Sequence, residues 1–268
     1  MSTESRNPRS EHLSEMSTEE IVRLMNEEDA AVITAVNRCI PEIAAIADRY
    51  AETLKNGGRV FYLGAGTSGG LALLDAAEVP PTFGLSPDRV IALTAEQGIN
   101  YTTDEEDSLN RAKEQLQAHG LTEKDYVIGV AASGSTPYVA EGMRYAKSCG
   151  AGTAAVVCNT GSVMAEIADI AAEAVTGPEV LTGSTRLKAG SAEKMILNML
   201  STAAMVKLGK VYSNFMVDVK PMNKKLVKRA VSIIMEVTGC DEACAREAME
   251  ASGNHCMSAI RLIQGKTE

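Results

Sequence analysis

Apolar residues recur at helical spacing near the start of the chain. From Ser17 onward they return every three or four positions, as in an amphipathic helix, and Glu20 follows Ser17 at the spacing of a capping box. The pattern breaks near Pro41, because proline cannot donate the hydrogen bond that continues a helix. The sequence predicts an extended arm over residues 1–16 and then a broken helical region that ends at Gly57.

Short apolar runs then alternate with helical patterns. The predicted strands are "RVFYLG", "RVIALT", "DYVIGVAAS", "GTAAVVCN" and the weaker "IAAEAVT". The predicted helices between and after them are "TSGGLALLDAAEV", "DEEDSLNRAKEQLQAHG", "TPYVAEGMRYAKSCG", "SVMAEIAD" and "TRLKAGSAEKMILNMLSTAAMVKLG". We expect Pro80 and Pro81 to end the first of these helices. This alternation is typical of an α/β fold, in which helices cover both faces of a parallel sheet and functional loops lie at the carboxyl ends of its strands.

The helical pattern resumes after residue 212, through "NKKLVKRAVSIIMEVTGC" and "DEACAREAMEASG". The chain is therefore predicted to have three parts. They are an N-terminal arm and helix over residues 1–45, an α/β domain over residues 46–212 and a small helical region over residues 213–268.

Composition and charge restrict the class of protein. The formal net charge is −9 and the sequence pI is about 5.0. Binding of nucleic acid or of an anionic membrane is disfavoured, because phosphate contacts need clustered Lys and Arg. No apolar run reaches the roughly 18 residues of a membrane span, and the polar N terminus lacks the pattern of a signal peptide. We expect a cytoplasmic protein with no membrane or nucleic-acid partner.

The cysteines are interpreted as reduced thiols. The chain has six of them, scattered through apolar and polar segments. Cys240, Cys244, His255 and Cys256 are close in sequence but lack the paired short spacings of a zinc site. We expect no bound metal.

The first candidate loop, "GAGTSGG", follows the first predicted strand. Its Gly64, Gly66 and Gly69 fit the G-x-G-x-x-G pattern of dinucleotide-binding loops. A dinucleotide site also needs an acidic residue roughly 20 residues further on, and the acid that ends the next strand, Glu96, lies about 30 residues on instead. A nucleotide phosphate loop needs a Lys, and none follows Gly70. Both nucleotide interpretations are therefore weakened.

The second candidate loop, "AASGSTPYV", again lies between a strand and a helix. Ser133, Ser135 and Thr136 place three hydroxyls around Gly134. An ordinary helix N-cap needs only one Ser or Thr. Three hydroxyls around a glycine favour an anion site, because hydroxyls and helix N-terminal N–H groups bind phosphate without a cation.

The first loop offers similar chemistry. Thr67 and Ser68 follow Gly66 at the end of a neighbouring strand. Two loops rich in Gly, Ser and Thr on adjacent parallel strands favour a phosphorylated sugar, with its phosphate on one loop and its hydroxyls on the other. The alternative for each loop is an ordinary helix start.

These loops resemble those of the sugar isomerase (SIS) domain, and longer segments resemble the N-acetylmuramic acid 6-phosphate etherase family. The matching segments, spread over about residues 3 to 265, are "TESRNPRS", "IVRLMNEED", "YLGAGTSGGLALLDAAEVPPTFG", "AASGSTPYV", "GPEVLTGSTRLKAGSAEKMILNMLSTAAM" and "LGKVYSNFMVDV". The resemblance implies a three-layer α-β-α sandwich with a five-stranded parallel sheet, in which residues 46–212 form the phosphosugar-binding domain. It also implies a homodimer that needs no metal or nucleotide and acts in the recycling of cell-wall sugars.

The resemblance implies a lyase reaction as well. The family cleaves the D-lactyl ether of N-acetylmuramic acid 6-phosphate by abstraction of the C2 proton, elimination of D-lactate and addition of water, which yields N-acetylglucosamine 6-phosphate. Its two catalytic glutamates fall here on Glu78 in "DAAEVPP" and Glu106 in "DEEDS". We assign Glu78 as the acid and Glu106 as the base, or the reverse. Taken without the resemblance, Glu78 would be a solvated helix-end carboxylate, and Glu106, like its neighbour Glu105, an ordinary acid in a first helical turn.

A third segment, "TGSTRLKAG", adds candidates for substrate binding. Ser184 and Lys188 lie at the start of a long predicted helix. Lys188 would contact the phosphate or the lactyl carboxylate. The alternative is that Lys188 is an exposed helix cation.

Two departures from the family affect the predicted substrate. Gly70 and Ser135 each stand where typical members have Arg, and "TAEQG" stands where a Gly-Gly pair is usual. Arg is the preferred bidentate partner of carboxylate and phosphate groups. Three hypotheses remain: the etherase, a related lyase or isomerase acting on another phosphosugar, and a non-catalytic phosphosugar-sensing regulator. Retention of both glutamates favours an enzyme.

Overall fold

Five parallel strands form a single sheet in the order β2-β1-β3-β4-β5. The computed structural model describes residues 3–96, 107–218 and 224–265. The strands are β1 Val60–Gly64, β2 Val90–Thr94, β3 Tyr126–Ala131, β4 Gly152–Val157 and β5 Ile170–Glu173. The predicted α/β fold with a five-stranded parallel sheet is confirmed.

Ten α-helices lie within the described residues. They are α1 Thr18–Arg38, α2 Ile40–Lys55, α3 Gly66–Phe83, α4 Arg111–Ala118, α5 Pro137–Ser148, α6 Val163–Ile167, α7 Lys188–Lys207, α8 Lys224–Thr238, α9 Glu242–Ala251 and α10 Cys256–Ile263. The predicted capping box is present at α1, where Ser17 Oγ accepts a hydrogen bond from the Glu20 N–H and the Glu20 carboxylate accepts one from the Ser17 N–H. The predicted break near Pro41 is also present, because α1 ends at Arg38 and α2 begins at Ile40.

The core of the sheet is aliphatic and is buried on both faces. All residues of β1 and β3 are buried, which explains why these strands appear in the sequence as continuous apolar runs. On one face, Leu63 and Val127 belong to the same buried cluster as Tyr138 and Met143 of α5. Packing of this kind places the strand ends, and the loops that follow them, at fixed positions.

The chain divides into two compact units. The first comprises Met1–Ala76 and Asp88–Ala204, and the second comprises Ala77–Pro87 and Met205–Glu268. The second unit has its own apolar cluster, in which residues of α8, α9 and α10 pack together. The predicted division into residues 1–45, 46–212 and 213–268 stays a prediction.

The N-terminal segment is not the extended arm that was predicted. It contains two short 3-10 turns, Pro8–Ser10 and Leu13–Glu15, and Asn7 is buried. Asn7 Nδ2 donates hydrogen bonds to Glu28 Oε2 at 2.7 Å and to the Pro178 carbonyl at 3.2 Å. The prediction was wrong because these partners are distant in sequence, and no local pattern indicates contacts of that kind.

Two predicted helix boundaries were also wrong. Helix α3 continues through Pro80 and Pro81 to Phe83. Proline has the φ angle of a helix, although it lacks an N–H donor and its ring crowds the preceding turn. Here both prolines lie in the last turn, and the Gly84 N–H donates to the Pro80 carbonyl at 2.9 Å where the helix ends. Helix α4 begins at Arg111 rather than near residue 104, and residues 104–106 of that prediction lie outside the described residues.

The C-terminal region contains elements that the sequence did not reveal. Helix α10 follows α9 after a short turn, and β6 Val211–Tyr212 pairs with β7 Phe215–Met216 in an antiparallel hairpin. Both elements are short, and their apolar positions are too few to give a clear period.

Among the described residues, no single helix is long and apolar enough to cross a membrane. Helices α1 and α2, bent by 62° at their junction, reach that length and apolar composition only as a pair. Within the same residues, no group of three or more His, Cys, Asp or Glu side chains is arranged to hold a metal ion.

Candidate functional site

The glycines of "GAGTSGG" serve the backbone turn between β1 and α3. Gly66 has a φ of +53°, in the left-handed region that favours glycine. A Cβ atom on Gly64 would lie 2.7 Å from the Gly69 nitrogen, and a Cβ atom on Gly69 would lie 3.0 Å from the Gly64 carbonyl oxygen. Close packing of the turn against the helix therefore explains the spacing of the glycines.

A carboxylate already occupies the N terminus of α3. The Gly66 nitrogen lies 3.1 Å from Oε1 and 3.2 Å from Oε2 of Glu96, a buried residue that follows β2. Thr94 Oγ1 donates to the Glu96 carbonyl at 2.6 Å, and Gln115 Nε2 donates to the Thr94 carbonyl at 3.1 Å. A negative charge is stabilised at a helix N terminus. Sequence reasoning considered Glu96 only as a ribose-binding acid and missed this role.

The second loop holds its hydroxyls at the start of α5. Gly134 has a φ of +70°, and a Cβ atom there would lie 2.3 Å from Ser162 Oγ. Ser133 Oγ accepts hydrogen bonds from both the N–H and the hydroxyl of Ser135, each at 3.2 Å. Thr136 is the N-cap residue of α5, but its side chain makes no capping hydrogen bond. The loop therefore combines a left-handed glycine with clustered hydroxyls at a helix N terminus, an arrangement that suits an anion.

The two loops line one cavity of about 350 Å³, within the size range of small-molecule sites. The described lining residues are Glu4, Ala65, Gly66, Thr67, Ser68, Asp107, Ala131, Ala132, Ser133, Ser135, Thr136, Pro137 and Thr185. Six of these carry hydroxyls and two carry carboxylates, and none is Lys or Arg. The structure thus brings together the predicted Gly66, Thr67 and Ser68 with Ser133, Ser135 and Thr136.

A buried carboxyl group lies behind Ser68. Ser68 Oγ and Glu193 Oε1 of α7 are 2.9 Å apart, and Glu193 is 1% exposed. Burial raises the pKa of Glu193 to about 8, although its hydrogen bond with Ser68 acts in the opposite direction. Sequence reasoning missed Glu193, which appears in the sequence as one acid among the polar positions of an amphipathic helix.

Lys188 is buried and paired. It is 2% exposed, and its Nζ lies 2.7 Å from Glu28 Oε2. Burial alone would raise the pKa of Glu28, but hydrogen bonds from Lys188 and Asn7 outweigh it and hold that pKa below its usual value. The alternative of an exposed helix cation is therefore wrong. Neither Lys188 nor Ser184 is among the described cavity residues, and their contact with substrate stays a prediction.

The N-terminal segment contributes to the cavity wall. Thr3 N donates to Asn159 Oδ1 at 3.0 Å, and Asn159 Nδ2 donates to the Ser133 carbonyl at 3.3 Å. Asn159 therefore connects the segment that carries Glu4 to the second loop. Glu4 and Asn159 were not singled out from the sequence, although "TESRNPRS" was among the matching segments.

The two predicted catalytic glutamates are not tested by the geometry of the cavity. Glu78 is an exposed residue of α3 and belongs to the segment Ala77–Pro87 of the second unit. Glu106 and Glu105 lie outside the described residues. Asp107, the next residue, lines the cavity.

Comparison with protein families identifies two regions. Residues 26–158 match the family model of the SIS domain. Residues 213–255 match the family model described as the C-terminal lid domain of glucokinase regulatory protein. The first region includes both loops of the cavity, and the second lies in the C-terminal helical part of the chain.

Solved structures with the same fold include two phosphoheptose isomerases. The enzyme from Francisella tularensis has a TM-score of 0.55 at 18% identity, over 71% of this chain and all of that chain. The enzyme from Neisseria gonorrhoeae has a TM-score of 0.53 at 17% identity, over 69% of this chain and 97% of that chain. At this identity the likeness shows the fold alone.

Relatives of much higher identity cover nearly the whole chain. The protein from Histophilus somni named N-acetylmuramic acid 6-phosphate etherase is 50% identical over 97% of this chain and 87% of its own length. Its namesakes from Geobacillus and Mycolicibacterium smegmatis are 49% and 48% identical, each over 98% of this chain and 90% and 89% of their own lengths. With its SIS-type fold and hydroxyl-lined cavity, this chain belongs to the N-acetylmuramic acid 6-phosphate etherase family.

Proposed function

We propose that this protein is a carbon–oxygen lyase that cleaves the D-lactyl ether of N-acetylmuramic acid 6-phosphate. Its products are N-acetylglucosamine 6-phosphate and D-lactate. The observation that carries the proposal is the 46–50% identity to proteins named for this activity, which extends over 97–98% of the chain. The cavity of about 350 Å³ supports it, because five of its hydroxyl-bearing residues follow the carboxyl ends of β1 and β3 and a sixth, Thr185, precedes α7.

The proposed reaction needs two groups that exchange protons. Opening of the sugar ring exposes the C1 aldehyde, which acidifies the neighbouring C2–H bond. A carboxylate base removes the C2 proton, the electron pair forms the C2–C3 double bond, and the C3–O bond breaks as an acid protonates the departing lactate oxygen. Water then adds its hydroxyl at C3 while C2 regains a proton, so one water is consumed for each lactate released.

Glu78 and Glu106 are proposed as the proton-exchanging pair. Glu78 is assigned as the acid that protonates lactate and Glu106 as the base at C2, with the reverse assignment as the alternative. Support comes from the position of each glutamate in a family-like segment of the sequence, "DAAEVPP" and "DEEDS". The next residue in the sequence, Asp107, lines the cavity, which supports the assignment of Glu106.

The phosphate is proposed to bind the second loop and the sugar hydroxyls the first. Gly134 gives the second loop its left-handed turn, and its sequence neighbours Ser133, Ser135 and Thr136 line the cavity, whereas Gly134 itself is not a described lining residue. At the first loop, a phosphate would meet the Glu96 carboxylate that the Gly66 N–H already binds. Like charges at close range repel, so the first loop suits neutral hydroxyl groups.

The setting of the reaction is proposed from the family. We expect a cytoplasmic homodimer that acts in the recycling of cell-wall amino sugars and needs no metal or nucleotide. Its partner is a phosphorylated amino sugar, and neither nucleic acid nor a membrane is expected to bind. The acidic charge of −9 supports the last point.

Release of D-lactate tests the proposal directly. The purified protein is incubated with N-acetylmuramic acid 6-phosphate, and D-lactate is followed with a coupled dehydrogenase. We expect turnover by the parent and a loss of roughly 10²- to 10⁴-fold in Glu78→Gln and in Glu106→Gln, the usual contribution of a general acid or base. Glu247→Gln is the matched control, because Glu247 is an exposed residue of α9. No lactate from the parent would contradict the etherase assignment.

One observation favours a second candidate. Among the described cavity residues there is no Lys or Arg, whereas Glu4 and Asp107 are acidic. Because the lactyl carboxylate would lack a cationic partner there, a related lyase or isomerase acting on a phosphosugar without that group, or a phosphosugar sensor, is the alternative. Phosphosugars that raise the melting temperature without release of lactate would favour it.

A further inference from the structure

Glu193 is the one cavity-adjacent carboxyl in the described residues with an oxygen atom that is both buried and unpartnered. Its Oε1 atom lies 2.9 Å from Ser68 Oγ, and its Oε2 atom has no hydrogen-bond partner and no contact with solvent. Ser68 is a lining residue of the cavity. Glu193 itself is 1% exposed and is not a described lining residue, so Ser68 is its described hydrogen-bonded link to the cavity.

The surroundings of Glu193 favour its neutral form. The hydroxyl of Ser68 on α3 is its one described hydrogen-bond partner. The Cys158 thiol after β4 is near enough for Glu193 and Glu179 to raise its pKa further after burial has done so. Lys188, the one buried Lys or Arg among the described residues, donates its Nζ hydrogen bond to Glu28. An ionised Glu193 would therefore be a buried charge with one bare oxygen and no cation, which is costly.

The position of the proton on Glu193 decides what Ser68 offers to the cavity. If Glu193 is ionised, Ser68 must donate its hydroxyl proton to Oε1, and only its lone pairs remain for a ligand. If Glu193 is neutral with its proton on Oε1, the carboxyl donates to Ser68 Oγ and the Ser68 proton is free. A proton on Oε2 would instead be a buried donor without an acceptor, and this arrangement has a higher free energy than the one with the proton on Oε1.

We propose that Glu193 is a positioning residue whose neutral carboxyl group donates a hydrogen bond to Ser68 Oγ and so directs the Ser68 hydroxyl proton toward the phosphosugar in the cavity. Ser68 then acts as a donor to an oxygen of the substrate. Ionisation of Glu193 reverses the hydrogen bond and adds a negative charge behind a site for an anionic ligand. This inference rests on the proposed function, in that the ligand is a phosphosugar.

The inference predicts weaker substrate binding at alkaline pH. The competent, protonated form is lost as the pH rises through the pKa of Glu193, which is about 8. Since apparent affinity falls in proportion to the competent fraction, we expect KM and the product Kd to rise about tenfold between pH 7 and pH 9. The substrate phosphate is already ionised throughout this range, because its second pKa is about 6. We expect kcat to change less than KM, because Glu193 does not touch the reacting atoms.

Glu193→Gln separates positioning from a structural role. Its amide N–H donates to Ser68 Oγ at every pH. The variant should therefore bind the phosphosugar at every pH as tightly as the parent does at pH 7, and its Kd should not rise at alkaline pH. Binding of N-acetylglucosamine 6-phosphate is measured by titration calorimetry from pH 6.5 to 9.5, in buffers of different ionisation enthalpy. The parent should take up protons on binding at pH 8.5, and Glu193→Gln should not.

Two further variants complete the test. Ser68→Ala should bind more weakly and also lose the pH dependence, because it removes the group through which Glu193 acts. Glu247→Gln, a change at an exposed site, should keep the pH dependence of the parent.

A parent that releases lactate with the same KM at pH 7 and pH 9, or a Glu193→Gln variant that keeps the pH dependence, would overturn the inference and leave the proposed function standing. Proton-linked binding of the phosphosugar without release of lactate would overturn the proposed function alone. No binding at any pH would overturn both.

Discussion

At the scale of single residues, the second loop depends on a glycine for two separate reasons. Gly134 has a φ of +70°, and a Cβ atom would approach Ser162 Oγ to 2.3 Å. Ser162 is itself the N-cap of α6, because its Oγ accepts a hydrogen bond from the Ala165 N–H at 3.3 Å. A side chain at Gly134 would therefore disturb both the loop and the start of the next helix.

We predict that Gly134→Ala lowers both stability and phosphosugar affinity. The strained φ angle alone costs of order 1 kcal/mol, and the contact with Ser162 adds to it. Urea denaturation and calorimetric titration with N-acetylglucosamine 6-phosphate measure the two effects. The matched control is Gly161→Ala, because Gly161 has a φ of +60° but nothing within 4 Å of its Cβ position. Equal losses in the two variants would show that the contact with Ser162 has no energetic weight.

Glu96, the acid after β2, is a second single residue that determines the chemistry of a loop. Glu96 binds the Gly66 N–H with both carboxylate oxygens, at 3.1 and 3.2 Å. The first loop therefore carries an internal anion at a helix N terminus that would otherwise attract an external one. A single residue thus separates the chemistry of the two loops.

At the scale of elements, the N terminus of α7 is held by a buried carboxylate. Glu179 Oε2 accepts from the Lys188 N–H and Glu179 Oε1 from the Ala189 N–H, each at 3.0 Å. Burial raises the pKa of Glu179, and the two N–H bonds only partly offset this. Helix α7 carries Glu193, so this cap also fixes the carboxyl group behind Ser68.

We predict that Glu179→Gln destabilises the protein through α7. An amide has one acceptor oxygen, so one buried helix N–H loses its partner, at a cost of about 1–3 kcal/mol. The change should appear as a lower melting temperature. Glu173→Gln is the comparison, because the carboxylate of the half-buried Glu173 accepts one described hydrogen bond, from the N–H of the exposed Gly161. A melting temperature as high as that of Glu173→Gln would contradict the capping role.

At the scale of the whole molecule, Glu193 should affect stability as well as binding. Its pKa is about 8 in the folded chain and near 4.5 when unfolded, so the folded state holds a proton that the unfolded state has released. The stability that this bound proton contributes to the folded state is fully present below pH 4.5 and is lost as the pH rises from there to about 8. The loss approaches about 1.4 kcal/mol per pH unit within that window.

We predict that Glu193→Gln gains stability relative to the parent as the pH rises from 5 to 8. Groups with lowered pKa values, such as Asp125, contribute less to the stability of the fold as the pH falls. Their contributions are the same in both proteins, so they cancel when the two stabilities are subtracted. Urea midpoints for the two proteins at several pH values measure this difference. A constant difference would mean that Glu193 is ionised in the folded chain.

Local patterns predicted most of the sheet and much of the cavity. The five strands were predicted because a strand buried on both faces appears as a continuous apolar run. The hydroxyls of the two loops were predicted to meet because the carboxyl ends of neighbouring parallel strands share one edge of a sheet. Pairing of the Gly64 and Val130 positions of β1 and β3 brings the loops together in this way.

The sequence by itself determined the α/β fold, the capped and broken N-terminal helices, the two hydroxyl loops and the resemblance to a family. Each of these is predicted from segments whose own residues lie within a few positions of one another. Only the tertiary structure revealed the burial of Lys188 against Glu28, the carboxylate of Glu96 at the Gly66 N–H and the carboxyl of Glu193 behind Ser68. These contacts join residues at least 30 positions apart. Their energies depend on burial and distance, which arise from packing and leave no periodic signal along the chain.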